Sequence, residues 1–182
     1  MRADPETNRY TLNRWDIRPV EWWAAERRRI AEEGGYANQR DYRKKGERDR
    51  DIVGVAGEYG CSRICGLAYP TDLTPTPENL ARGDIPMHTG EWIDVKTMDK
   101  YYEEYFLKFR HSPSDPLPRS LLYALVTLFQ WEVTLIGFIH RDNLLQEKNY
   151  LEYDYKMKDP GYCVSEKELS PTIAEALAWQ SD

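Results

Sequence analysis

The sequence predicts an α/β domain: a central mixed sheet of about five strands, flanked by helices. Three observations carry that expectation. Helical patterns come first, a run of strand patterns follows, and a helical pattern returns near the end. Two of the strand patterns, 121–130 and 132–140, are mostly apolar, as strands covered on both faces are. At 182 residues, 41% hydrophobic and 31% charged, the chain fits one domain, 1–182, with enough material for a real core.

The elements follow in order. Residues 19–33 are expected to form a helix: Pro19 suits a first turn, and Gly34-Gly35 stop it. Trp22, Trp23, Ile30 and Ala31 give it a partial apolar face, and residues 1–40 read as a helical N-terminal extension. A longer helix is expected over 41 to about 66. Its first half is polar, and its second half, Ile52 to Cys65, is rich in small and apolar residues, as if pressed against a sheet. Pro70, Pro75 and Pro77 mark a loop. A hairpin then joins Asp84–His88 to Glu91–Thr97 through Thr89-Gly90. Tyr105–Arg110 alternates like a third strand, and 111–118 is a loop. After the two apolar strands come a short turn or helix near Asp142–Gln146, a Tyr-rich irregular stretch, and a helix near Pro171–Trp179.

Charge and cysteine content narrow the function classes. A net charge of −6 gives no global basic field for nucleic acid. A local basic run does exist, Arg40, Arg43, Lys44, Lys45, Arg48 and Arg50, although Asp41, Glu47, Asp49 and Asp51 interrupt it, so a solvated, ion-paired helix fits equally. Lys44, Lys45 and Arg48, with Arg141 at a strand end, are the candidate phosphate contacts. Three cysteines give no disulfide framework, and no apolar stretch follows Met1 or runs long enough to span a bilayer. The expectation is a protein of the cytoplasm, or of the host cytoplasm if viral, with no membrane partner. No Gly-rich phosphate loop and no Ser-His-Asp pattern is present. Cys61, Cys65, His88, His140 and Cys163 match no closed zinc module. The tyrosines at 101, 102, 150, 153 and 155 suit a packed rim better than a base-stacking surface.

The informative segment is Gly83 to Thr97. Side chains alternate along a strand, so Asp94 and Lys96 share one face while Ile93 and Val95 enter the core. Asp84 joins that face if the hairpin loop holds an odd number of residues, and a slip of one residue reverses it. Two carboxylates and an ammonium on one patch suit phosphodiester hydrolysis: a hard cation takes oxygen ligands, and a lysine positions water or stabilises developing charge. Glu58, among Gly54, Gly57 and Gly60, is the candidate third carboxylate. Glycines inside a helix each cost about 1 kcal/mol against alanine, which close approach of the helix to the sheet would offset.

Glu on a helix, then Asp, then Asp-x-Lys on adjacent strands resembles the PD-(D/E)XK nuclease superfamily, the restriction-endonuclease-like fold. Glu58 matches the helical acid, Asp84 the first strand aspartate, and Asp94-Val95-Lys96 the (D/E)-x-K element; the match covers roughly 50–140. Gly83 stands where the family often has proline, and the Gln-x-x-x-Tyr helix of its RecB-like branch is not evident. The resemblance implies a mixed sheet flanked by helices, dependence on Mg²⁺ or Mn²⁺, and cleavage of DNA. It also implies that Asp84, Asp94 and the Val95 carbonyl hold the metal, with Glu58 directly or through water and Lys96 orienting the nucleophile. A phage or mobile-element origin and a homo-oligomer are compatible with it. The rival expectation is a nuclease-fold scaffold that binds and does not cut.

Overall fold

In the computed structural model, which describes residues 8–33, 49–70, 83–99, 103–111, 118–152 and 160–178, a short strand β1 (Arg9–Thr11) leads into helix α1 (Arg14–Glu33). The helix starts before Pro19, which lies inside it. Asn13 explains the earlier start. Its side chain accepts from the Trp15 N–H at 2.7 Å, while Asp16 reaches back to accept from the Asn13 N–H at 3.0 Å. This reciprocal cap satisfies end groups that a proline cannot, and so it sets the first turn. Val20 and Ala24 are buried, so this N-terminal segment is part of the main core.

Helix α2 (Arg50–Ile64) is capped by Asp49, which accepts from the Asp51 N–H at 3.0 Å. The basic residues Lys44, Lys45 and Arg48 lie outside the described residues.

The main sheet contains β2 (Ile85–Pro86), β3 (Trp92–Met98), β5 (Leu122–Phe129) and β6 (Glu132–His140), in the order β1-β6-β5-β3-β2. Strands β3 and β5 run parallel and the other pairs antiparallel, so the sheet is mixed and five-stranded as expected. Its membership differs from the sequence reading. Strand β4 (Phe106–Phe109) leaves it, and β1 takes the edge beside β6. β4 forms a second sheet with β7 (Tyr150–Leu151) and β8 (Gly161–Ser165), in the order β4-β8-β7. The last two fall in or beside the stretch read as irregular; β7, with two residues, is too short to carry a pattern. Short helix α3 (Arg141–Leu144) follows β6, and α4 (Ile173–Ala178) packs against it.

Alternation on β5 divides the core. Leu122, Ala124, Val126 and Leu128 face α1 and α2, whereas Tyr123 and Leu125 face the second sheet with Leu107, Leu144 and Val164. Helices therefore cover one face, while the small sheet and α3 cover much of the other.

The β5–β6 hairpin turns on Gln130 and Trp131 with φ of 48° and 68°, a pair of left-handed residues of the kind that usually calls for Asn-Gly. Trp131 packs on the core, and its carbonyl accepts from the Leu12 N–H at 2.8 Å, so the same turn anchors the N-terminal segment.

Helix α2 lies on the sheet at two glycines. A Cβ on Gly57 would stand 1.9 Å from Thr97 Oγ1, and one on Gly60 would stand 2.5 Å from a Val133 methyl. The obstacle at Gly57 is a β-branched side chain on a central strand, which has little room to yield. Gly57→Ala is expected to lower stability by about 1–3 kcal/mol or more, read as a drop in the urea midpoint. An unchanged midpoint would mean that α2 is not seated on β3.

Candidate active site

The hairpin register decides which side chains meet. Ile85 pairs with Ile93 and Pro86 with Trp92, leaving a loop of five residues, Met87 to Glu91, which is odd. Carrying the register back one residue sets Asp84 across from Asp94. The ladder continues that far, because the Asp84 N–H donates to the Ile93 carbonyl at 2.8 Å. Gly83 is required just before it: φ is +97°, and a Cβ would stand 2.4 Å from Ser120 Oγ. Proline, with φ fixed near −65°, has no place there.

Strand β2 begins only at Ile85, and just before it Asp84 takes over the edge of β3. Its Oδ2 accepts from the Val95 N–H at 2.7 Å. The N–H and C=O of one strand residue point to the same side, so the Val95 carbonyl faces this edge as well. Ile93 and Val95 are buried toward the helices. Asp94 and Lys96 project from the opposite face, joined in an ion pair, with side-chain exposures of 19% and 34%. Glu58 arrives from the helix face, placed by the Gly57–Thr97 contact.

The four groups act on one another electrostatically. Burial pushes the Asp84 carboxyl well above its usual range; Glu58 and Asp94 push it further, and the Val95 N–H and Lys96 only partly oppose them. Burial also raises Asp94 against the pull of Lys96, with Glu58 adding to the rise. Burial would lower the Lys96 ammonium, but Asp94, Asp84 and Glu58 together hold it above its usual value. The site is a crowded set of carboxylates with one lysine at its centre.

Glu58 is itself held from outside the predicted set. Arg27 of α1 grips it with both nitrogens, Nη1 to Oε1 at 2.8 Å and Nη2 to Oε2 at 2.7 Å. Tyr69 donates to Oε2 at 2.9 Å and accepts from Arg27 at 3.1 Å. Tyr69 is wedged beside Trp23, with ring centroids 5.0 Å apart, and edge-on to Tyr59 at 5.7 Å. Sequence reasoning missed both residues. One signal was present: Arg27 continues the buried stripe of Val20 and Ala24 on α1, and a charge on such a stripe needs a partner.

Arg141 donates from Nη1 to the Pro118 carbonyl at 3.1 Å and pairs with Asp142 at 3.1 Å, while its charge reaches Tyr123 beside Asp94. Cys61 is fully buried on α2 and lies against Cys65 one turn on. Tyr150, from the Tyr-rich group, packs edge-on to Tyr162 at 5.3 Å; Tyr101, Tyr102, Tyr153 and Tyr155 lie outside the described residues.

Among the described residues, no three His, Cys, Asp or Glu side chains stand together as a ready metal-holding set. The geometry agrees: Glu58 and Asp94 approach the edge from opposite faces, and Glu58 is already occupied. A magnesium-type ion asks for less, one or two carboxylates with water and substrate phosphate filling the rest. Asp84 and Asp94 are the carboxylates available for that smaller set, with the Val95 carbonyl facing the same edge as Asp84.

Among the described residues no helix is long and apolar enough to cross a membrane. In comparisons with known proteins, the chain matches no family model, no curated protein and no solved structure.

Proposed function

We propose that the chain is a metal-dependent nuclease that hydrolyses DNA phosphodiester bonds at the edge of β3. One observation carries this reading: Asp84, Asp94, Lys96 and Glu58 act on one another's charge around the edge of β3, in the order and on the elements of the PD-(D/E)XK pattern. Asp84, Asp94 and the Val95 carbonyl would hold Mg²⁺ or Mn²⁺. The ion, when bound, supplies phosphate polarisation and an acidified water.

The chain's own residues do the rest. Lys96 stays an ammonium at neutral pH, so it orients the attacking water and neutralises developing charge, and it is not the base. Asp84, tied to the Val95 N–H, is held at the same strand edge as that carbonyl. Glu58, locked by Arg27 and Tyr69, reaches the reacting centre through water and shapes the field there.

The second reading, a nuclease-fold scaffold that does not cut, is favoured by that same locking of Glu58. Labelled single-stranded, duplex and branched DNA incubated with Mn²⁺, Mg²⁺ or EDTA separates the two. Cleavage that needs metal and is lost in Asp94→Ala, with the variant folded, is the expected result. No cleavage of any substrate, together with melting temperatures indifferent to metal, would establish the scaffold.

A further inference from the structure

Tyr123 is the second residue of β5, fully buried, with a hydroxyl that has no hydrogen-bond partner among the described residues. Buried hydroxyls in native proteins are nearly always satisfied, and an orphan calls for an explanation. Phenylalanine would fill the same space without the penalty, so packing does not account for the oxygen.

The neighbourhood supplies an account. Tyr123 is the register partner of Asp94 on the adjacent parallel strand, so the two side chains leave the same face of the sheet side by side. The Asp94 charge acts on the Tyr123 hydroxyl. Phe109 roofs the pair: its ring lies 4.7 Å from that of Tyr123 and 5.7 Å from Lys96 Nζ. Three groups therefore share one small enclosure, and Asp94 is committed to Lys96, leaving the tyrosine idle.

We propose that Tyr123 is the alternative hydrogen-bond partner of Asp94, donating its O–H to the carboxylate when Lys96 turns to the substrate. On the nuclease reading, which this inference deepens, Lys96 must leave Asp94 in part to reach the attacking water or the phosphate. A carboxylate abandoned in that enclosure would resist the move. A hydroxyl already in place on the next strand lowers that resistance and keeps Asp94 aimed at its ligand position. Tyr123 is thus a positioning residue, acting through Asp94.

The exchange can be read without catalysis, in a stability cycle in EDTA: wild type, Tyr123→Phe, Lys96→Met and the double variant, unfolded in urea. With Lys96 present, Tyr123→Phe should leave the folding constant unchanged or raise it several-fold, since it removes an orphan. With Lys96 replaced by Met, the hydroxyl is bonded to Asp94, and Tyr123→Phe should lower the constant by about tenfold or more. Equal effects in the two backgrounds would overturn the proposal and leave a merely structural tyrosine. Should Lys96→Met fail to fold, Lys96→Gln takes its place with the same expected sign. If DNA cleavage is found, Tyr123→Phe should also lower kcat about tenfold at unchanged KM. Loss of cleavage by every protein with the cycle intact would sink the nuclease reading and spare the exchange.

Discussion

Lys96→Ala is expected to slow phosphodiester cleavage by on the order of 10²–10⁴-fold, with KM little changed. The magnitude follows from where the ammonium stands. It is placed among Asp84, Asp94 and Glu58, and their charges outweigh the burial that would otherwise push it toward neutrality. It therefore carries its charge throughout the pH range in which the enzyme would work. The rate should show no loss attributable to Lys96 deprotonation until pH exceeds the ordinary lysine value of 10.5. Lys96→Arg keeps the charge but spreads it over a planar fork, and should recover only part of the rate. Single-turnover rates of the three proteins decide the matter; an alanine variant close to wild type would remove Lys96 from the chemistry.

Asp84→Asn should do two opposite things: end cleavage and make the metal-free protein more stable. Asparagine retains a side-chain oxygen to accept the Val95 N–H, so the local geometry has a reason to survive. What disappears is an anion that burial, Glu58 and Asp94 all disfavour. The folded protein holds a proton on this carboxyl more tightly than the unfolded chain does, whose value is near 3.8. The stability it contributes is therefore complete below that pH and is lost as pH rises through the elevated folded value. At pH 8 in EDTA the variant is expected to gain about 0.5–2 kcal/mol, or roughly 2–4 °C in Tm per kcal/mol, as active-site replacements often do. The gain should shrink as pH falls toward 5. Saturating Mn²⁺ should reverse the order, raising the Tm of wild type by linkage and leaving the variant behind. A variant that melts below wild type at pH 8 without metal would show that the ionised carboxylate is a stabilising group after all.

Much of this site was legible because it rests on short-range rules. The period of two placed Asp94 and Lys96 on one face, and the parity of the hairpin loop left two registers for Asp84, of which the structure has the odd one. Gly57 and Gly60 inside α2 signalled close approach, and the sheet sits against both. The less legible parts depend on contacts between distant segments. Nothing near Arg27 names Glu58, 31 residues on, as its partner. Strand β4 alternates as any half-buried strand does, and alternation cannot say which sheet it joins. With three residues in β1 and two in β7, those strands carry too little pattern to register; their places are set by the partners they pair with. Tyr123 reads as one more apolar residue of a central strand, and only its unmet hydroxyl sets it apart.

The parallel pairing of β3 with β5 has a consequence for how the protein is made. On a ribosome, α1 and α2 emerge first, so Arg27 is already available when Glu58 appears, and that charge pair can close early. Asp84, Asp94 and Lys96 follow within one short hairpin, still open to water. Their enclosure waits for β5, which returns to pair in parallel with β3 only after the chain has passed through β4. Non-local closures of this kind are slow. The nascent chain thus carries its carboxylates fully hydrated until a late step, and the cost of crowding them falls on the closing of the sheet.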